Sequence, residues 1–202
     1  MTMKRKELEI LLQKIPPHPS PKVELEQYST PAGIAADIIF EAHARGDVAG
    51  KTIVDLGCGT GIFAIGASLM GALETVGIDI DKDAVALAKK SAEELGADAD
   101  FRVEDVEHFS GHYDTCFQNP PFGYQNRGLD RAFLKKAIEV AGTVYTFHHA
   151  DAASYVEKTV AGKGVVTGEQ NYKFPMPYTY RFHTKKVKTV DVTLFRIVKV
   201  IA

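Results

Sequence analysis

From Lys51 onward the chain alternates short apolar runs with longer stretches of helical periodicity. Thr52–Leu56 reads as a buried strand, and the apolar Ile62–Met70 as a helix closed by Gly71. Glu74–Ile80 is a second strand. Asp83–Leu95 follows as a helix with Val85, Leu87 and Ala88 on its apolar side, stopped by Gly96. Asp100–Val103 is a weaker strand and Tyr113–Phe117 a fourth. Asp130–Val140 is a helix, Thr143–His148 a fifth strand and Ala152–Val160 another helix. The alternation then stops. Gly164–Thr167 and Lys188–Val200 read as strands with no helix between them. In the second, Val190, Val192 and Leu194 alternate with Asp191, Thr193 and Phe195, which predicts one buried and one partly exposed face. A β-α repeat ending in an antiparallel pair predicts an α/β fold with a mostly parallel sheet and helices on both faces.

Upstream, Leu8, Leu11, Leu12 and Ile15 stand at helical spacing within residues 4–15. Four prolines in residues 16–21 then force an extended linker. Thr30 followed by Pro31 predicts an N-cap and first helical position, with the helix running to about Arg45. We divide the chain at residue 24: an N-terminal helix and proline-rich linker over 1–24, and the main domain over 25–202.

The loop after the first strand reads Gly57-Cys58-Gly59-Thr60-Gly61. A dinucleotide fingerprint requires glycine or alanine where Ile62 stands, so the loop suits a ligand without a pyrophosphate. Asp55 precedes this loop, Asp79 ends the second strand and Asp105 follows the third. An acid at the second position can take the two hydroxyls of a ribose, and Asp105 is placed to reach an adenine amine. Each acid alone reads more readily as a helix cap or a solvated strand end. Three at successive strand ends, with a glycine loop between the first two, point to a nucleoside ligand.

Gln118-Asn119-Pro120-Pro121-Phe122-Gly123 follows the fourth strand, where open α/β sheets place their chemistry. Two prolines fix two φ angles, and Asn119 is pushed into an extended conformation. A stiff turn with acceptors beside an aromatic ring suits a planar amine.

With 202 residues, 45% hydrophobic, the chain suits one core. A net charge of −2 gives no global attraction to nucleic acid or membrane, so any nucleic-acid site is a local patch. Residues 173–199 supply one: lysines and arginines interleaved with Phe174, Tyr178, Tyr180 and Phe182. An ordinary solvated edge with core aromatics has the same composition. His148-His149 reads as a pocket lining or as a polar strand end. Cys58 and Cys116 form no CxxC pair, so neither a zinc site nor a disulfide framework is expected. The longest apolar run is too short to span a bilayer, and a soluble cytoplasmic protein is expected.

These motifs, in order and spacing, resemble the class I S-adenosylmethionine-dependent methyltransferases. The resemblance implies a Rossmann-like seven-stranded sheet whose last strand is antiparallel. It places S-adenosyl-L-methionine against Gln27, Thr30, Asp55, Gly57, Cys58, Gly59, Thr60, Ile62, Asp79, Ile80, Asp105 and Val106. The Asn-Pro-Pro-aromatic motif marks the subgroup that methylates planar nitrogens: adenine N6, guanine N2 or a glutamine amide. Asn119, Pro120, Pro121 and Phe122 would then hold the acceptor, with Phe122 stacked on the base. Leu25-Glu26-Gln27-Tyr28-x-Thr30, Asn119–Gly123, Asp130-x-x-Phe133-Leu134 and Tyr180-x-Phe182-His183 together resemble the methyltransferase-like protein 5 family. That implies N6 methylation of an adenosine in small-subunit ribosomal RNA. It also implies a small zinc-containing activator subunit, pairing along the third strand near residues 101–103. Guanine N2, protein glutamine and a non-catalytic ribosome-assembly role are the alternatives.

Overall fold

The computed structural model describes residues 3–22, 25–122, 128–177 and 187–200. Seven strands form one sheet in the order β3-β2-β1-β4-β5-β7-β6. They are β1 Thr52–Leu56, β2 Glu74–Asp79, β3 Asp100–Val103, β4 Tyr113–Gln118, β5 Ala141–His149, β6 Gly164–Pro177 and β7 Val187–Lys199. β1 to β5 pair in parallel, and β7 runs antiparallel to both β5 and β6. The sheet order reverses direction after β1, and the gap between the β1 and β4 ends is where such sheets bind ligands.

The helices are α1 Arg5–Leu12, α2 Ala32–Ala44, α3 Ile62–Leu69, α4 Lys82–Leu95, α5 Leu129–Val140 and α6 Ala153–Val160. Alternate strand residues serve two cores. Ile53, Phe117, Tyr145, Phe147 and Val192 face a core shared with the first four helices, including Leu8 and Leu12 of α1. Val54, Leu56, Cys116, Val144 and Phe195 face the core shared with α5 and α6. Rings continue the first core across the sheet, with Phe63 stacked on Phe117 at 5.6 Å and Phe117 on Tyr145 at 5.1 Å.

Four expectations change. β6 spans fourteen residues where four were expected. Within its added part, the segment Gly168-Glu169-Gln170-Asn171 carries no apolar alternation because it lies at a sheet edge; the β7 ladder defines it instead. In β7, Thr193 and Phe195 are buried along with Val192 and Leu194, so both faces are covered there. Phe174 is buried and edge-on to Phe147 at 4.9 Å, which makes it a core residue and not a stacking platform. Tyr178, Tyr180, Phe182 and His183 lie outside the described residues. Finally, α2 starts at Ala32 with Pro31 at its cap. Thr30 does not cap it; its hydroxyl is bonded to Asn119.

Candidate active site

Gly57–Gly61 turns β1 into α3. Three of its glycines have positive φ, which suits glycine far better than any other residue: Gly57 at 68°, Gly59 at 53° and Gly61 at 85°. At Gly57 a Cβ would sit 2.9 Å from the Phe133 ring, whereas at Gly59 it would meet nothing within 4 Å. The backbone at Gly59 is therefore open to a ligand.

The acids organise this loop. Asp55 Oδ2 accepts from the Ala64 amide at 3.1 Å, serving the N-terminus of α3, whose cap position is a glycine without a side chain. Burial pushes the Asp55 carboxyl up to about 7 against the pull of the Ala64 amide; nearby Asp79 adds to the rise. Asp79 accepts from Gly59 N and from Asp81 N, each at 2.8 Å. Burial raises it too, while those two amides pull it down. Asp105 Oδ1 accepts from Glu107 N at 2.9 Å, closing the turn after β3.

One cavity of about 410 Å³ opens over these strand ends. Gln27, Thr30, Asp55, Gly57, Cys58, Gly59, Thr60, Ile62, Asp79, Ile80, Asp105 and Val106 all line it, together with Asn119, Pro120 and Pro121. Phe122 is half-buried and packs against the core cluster of the first four helices; Gly123 lies outside the described residues. His148 is 1% exposed, neither a pocket wall nor an open strand end. Its Nε2 lies 3.0 Å from Thr146 Oγ1, and burial lowers it to about 4. His149 is partly exposed and pairs with Asp151 at 3.4 Å.

The sequence reading missed Asp81. It caps α4 by accepting from Asp83 N at 3.1 Å, and it anchors the N-terminal strap, residues 16–22 and 25–30. Gln27 Nε2 donates to its Oδ2 at 2.8 Å, Lys22 Nζ lies 3.0 Å from Oδ1, and His18 Nε2 lies 3.4 Å from Oδ2. Burial acts to raise this carboxyl; Gln27, Lys22 and the Asp83 amide together outweigh it and hold Asp81 at about 2. The signal was an Asp one residue before a helix start. Its strap partners are remote in sequence and carry no local signal. On the acceptor side, Asn119 Nδ2 donates to Thr30 Oγ1 at 3.1 Å. Asn119 Oδ1 is buried with no hydrogen-bond partner among the described residues.

A glycine-rich loop, acids at the strand ends and an Asn-Pro-Pro turn around one cavity are the site of a group-transfer enzyme on a nucleotide-binding sheet. The family model for the methyltransferase small domain matches residues 35–147, more than half of the chain. The zebrafish (Danio rerio) rRNA N(6)-adenosine-methyltransferase METTL5 is 36% identical over 205 residues, covering 96% of this chain and 98% of the relative. The Drosophila melanogaster protein of the same description is 35% identical, covering 96% of each. A crystal structure of a candidate RNA methyltransferase from Pyrococcus horikoshii superposes with a TM-score of 0.91 at 37% identity, each chain covered in full. The chain belongs to the methyltransferase small-domain family and, within it, to the METTL5 family.

Proposed function

We propose that this protein transfers a methyl group from S-adenosyl-L-methionine to N6 of an adenosine in small-subunit ribosomal RNA. The observation that carries the reading is the buried, unpartnered Oδ1 of Asn119 at the rim of the cavity. A buried acceptor without a donor costs about 1–3 kcal/mol unless a ligand supplies one. An exocyclic amine has the required N–H.

The cavity fits the cofactor. Its volume lies in the range of small-ligand sites, Gly59 leaves its backbone open, and Asp79 retains acceptor capacity beyond the two amides it already holds. When bound, the cofactor supplies an electrophilic methyl group on a sulfonium. Gly57, Cys58, Gly59, Thr60 and Ile62 would line its methionine end, Asp79 and Ile80 would take the ribose, and Asp105 with Val106 would take the adenine. Asp55 acts indirectly, by holding the start of α3. Gln27 also acts indirectly, because both ends of its amide are engaged within the protein, Nε2 with Asp81 and Oε1 with the Lys22 amide.

On the acceptor side, Asn119 Oδ1 and the Pro120 carbonyl accept the two N–H bonds of adenine N6. That disfavours the planar, conjugated amine and turns its lone pair toward the methyl. Attack by that lone pair would form the nitrogen–carbon bond as the carbon–sulfur bond breaks, with the neutral thioether as leaving group and the proton passing afterwards from the cationic nitrogen to water, so no strong base is required. Positioning supplies much of the rate. Phe122 offers a ring beside the base after a shift from its packed position. The target adenine enters unpaired, as in RNA loops and ends. The METTL5 relatives are rRNA N6-adenosine methyltransferases by description, which favours adenine over guanine N2 or glutamine.

The activator subunit implied by the family would pair along β3. That strand forms one edge of the sheet, with Arg102 and Val103 exposed. Co-purification from its own cells tests this. Among the described residues no helix is long and apolar enough to cross a membrane; the proposed action on ribosomal RNA would take place in the cytoplasm.

The test of the activity is ribosomal RNA from cells lacking the protein, incubated with enzyme and labelled cofactor, then digested and resolved by mass spectrometry. Label in N6-methyladenosine of the small subunit is expected. Label in N2-methylguanosine overturns the substrate. Asn119→Ala should abolish transfer and leave cofactor binding intact.

A further inference from the structure

The strap and the acceptor clamp meet at one bond. Thr30 is 6% exposed, and its Oγ1 accepts from Asn119 Nδ2 at 3.1 Å. It lies three residues after Gln27, which is tied to Asp81 at 2.8 Å. Pro31 follows it and leads into α2. Thr30 is thus fixed on both sides, by the Asp81 anchor and by a helix start.

An asparagine amide has two chemically opposite ends. With Nδ2 held, Oδ1 is the end left unpartnered. Turned by half a rotation about its last torsion, Asn119 would offer its own N–H groups toward the site. Two donors facing a donor amine make no hydrogen bond. A buried Nδ2 beside an apolar neighbour would also lose its partner, which favours rotation.

We propose that Thr30 is a positioning residue for the acceptor clamp: its hydroxyl holds the Asn119 carboxamide in place, and in the bonded arrangement of this structure Nδ2 is engaged and Oδ1 is left for the substrate amine. The inference rests on the assignment of Asn119 to the acceptor amine. It moves Thr30 from the cofactor contacts to the acceptor side. It also couples the two halves of the cavity: the strap that lines the cofactor side carries the hydroxyl that sets the clamp, so a displaced strap leaves Asn119 unset.

Thr30→Val removes the hydroxyl at nearly constant shape, and Thr30→Ser restores it. Single-turnover methyl transfer is measured at saturating cofactor on ribosomal RNA from cells lacking the protein, with cofactor Kd from calorimetry. Thr30→Val should lower the rate about tenfold or more, the effect of one positioned hydrogen bond. Its Kd should stay within about twofold, and Thr30→Ser should recover most of the rate. A wild-type rate in Thr30→Val overturns the proposal, as does a loss accounted for by weaker cofactor binding. A second readout needs neither turnover nor a variant's folding. In the wild-type protein the side-chain amide protons of Asn119 should exchange with solvent slowly, and free-asparagine exchange overturns the proposal. If the wild type methylates an amine other than adenine N6, the substrate assignment fails, and Thr30 is then judged by the same rate comparison on that amine. If it methylates nothing, the amide exchange alone decides.

Discussion

Gln27 Nε2 donates to Asp81 Oδ2 across 2.8 Å, joining the N-terminal strap to the cap of α4, 54 positions away in sequence. The same carboxylate receives Lys22 at 3.0 Å and the Asp83 amide at 3.1 Å. One buried acid therefore fixes the roof of the cavity and a helix start on its floor.

Gln27→Ala removes one donor from a buried carboxylate and should release the strap without unfolding the sheet. A bond of this kind contributes about 1.5 kcal/mol, or about tenfold in a rate constant. Cofactor dissociation should speed up by that factor, while thermal unfolding shifts by only a few degrees. An unchanged dissociation rate would show that the strap does not retain the cofactor. Acid gives a second handle. Asp81 is held at about 2, below its ordinary 3.8. Its contribution is complete above that ordinary value and is lost as pH falls through about 2. Amide exchange of strap residues should rise across that window.

Two of the three loop glycines, Gly57 and Gly59, separate stability from binding. Both have positive φ, so alanine strains either backbone by about 1 kcal/mol. At Gly57 the new methyl also meets Phe133 Cε1 at 2.9 Å and must push the α5 ring aside. Gly57→Ala should cost about 2–3 kcal/mol of stability in denaturant unfolding. Gly59→Ala has open space, so it should cost about 1 kcal/mol and weaken cofactor binding by steric intrusion. Equal stability losses in the two variants would contradict the contact at Phe133.

What was legible in the sequence follows from what decides each element locally. β1 is five residues between Lys51 and the Gly57 turn, buried on both faces, and its bounds match the expected Thr52–Leu56. β6 is decided by its partner: Glu169, Gln170 and Asn171 face solvent at the edge, and only the ladder to Phe195, Leu194 and Thr193 makes them a strand. The Thr30-Pro31 pair carries a good local capping signal, but a side chain 89 positions away takes the Thr30 hydroxyl. Glycine spacing and strand-end acids locate the cavity because sheet topology puts strand ends together. The Asp81 anchor was hidden because its meaning depends on where an irregular, proline-rich strap returns to the domain.

The buried acid beneath the glycine loop gives a pH signature of opposite sign to that of Asp81. Asp55 rises from 3.8 to about 7 in the folded protein, chiefly through burial. Between those values the folded state binds more protons than the unfolded state, so stability falls as pH rises, then levels above about 7. Three pH units correspond to a ceiling on the order of 4 kcal/mol. His148 works against this in an overlapping window. Burial lowers it from 6.5 to about 4, so its contribution grows as pH rises between those values. The raw pH–stability curve therefore mixes two opposed terms, and a difference between proteins isolates one. Asp55→Asn keeps an acceptor for the Ala64 amide and removes the titration. The stability of the cofactor-free variant minus that of the wild type should increase steadily from about pH 4 to about pH 7 and then stay constant. His148 is common to both proteins and cancels. Urea unfolding at half-unit steps measures the difference directly. A flat difference would mean that Asp55 stays ionised in the folded protein at all these pH values, with its helix-capping amides outweighing its burial.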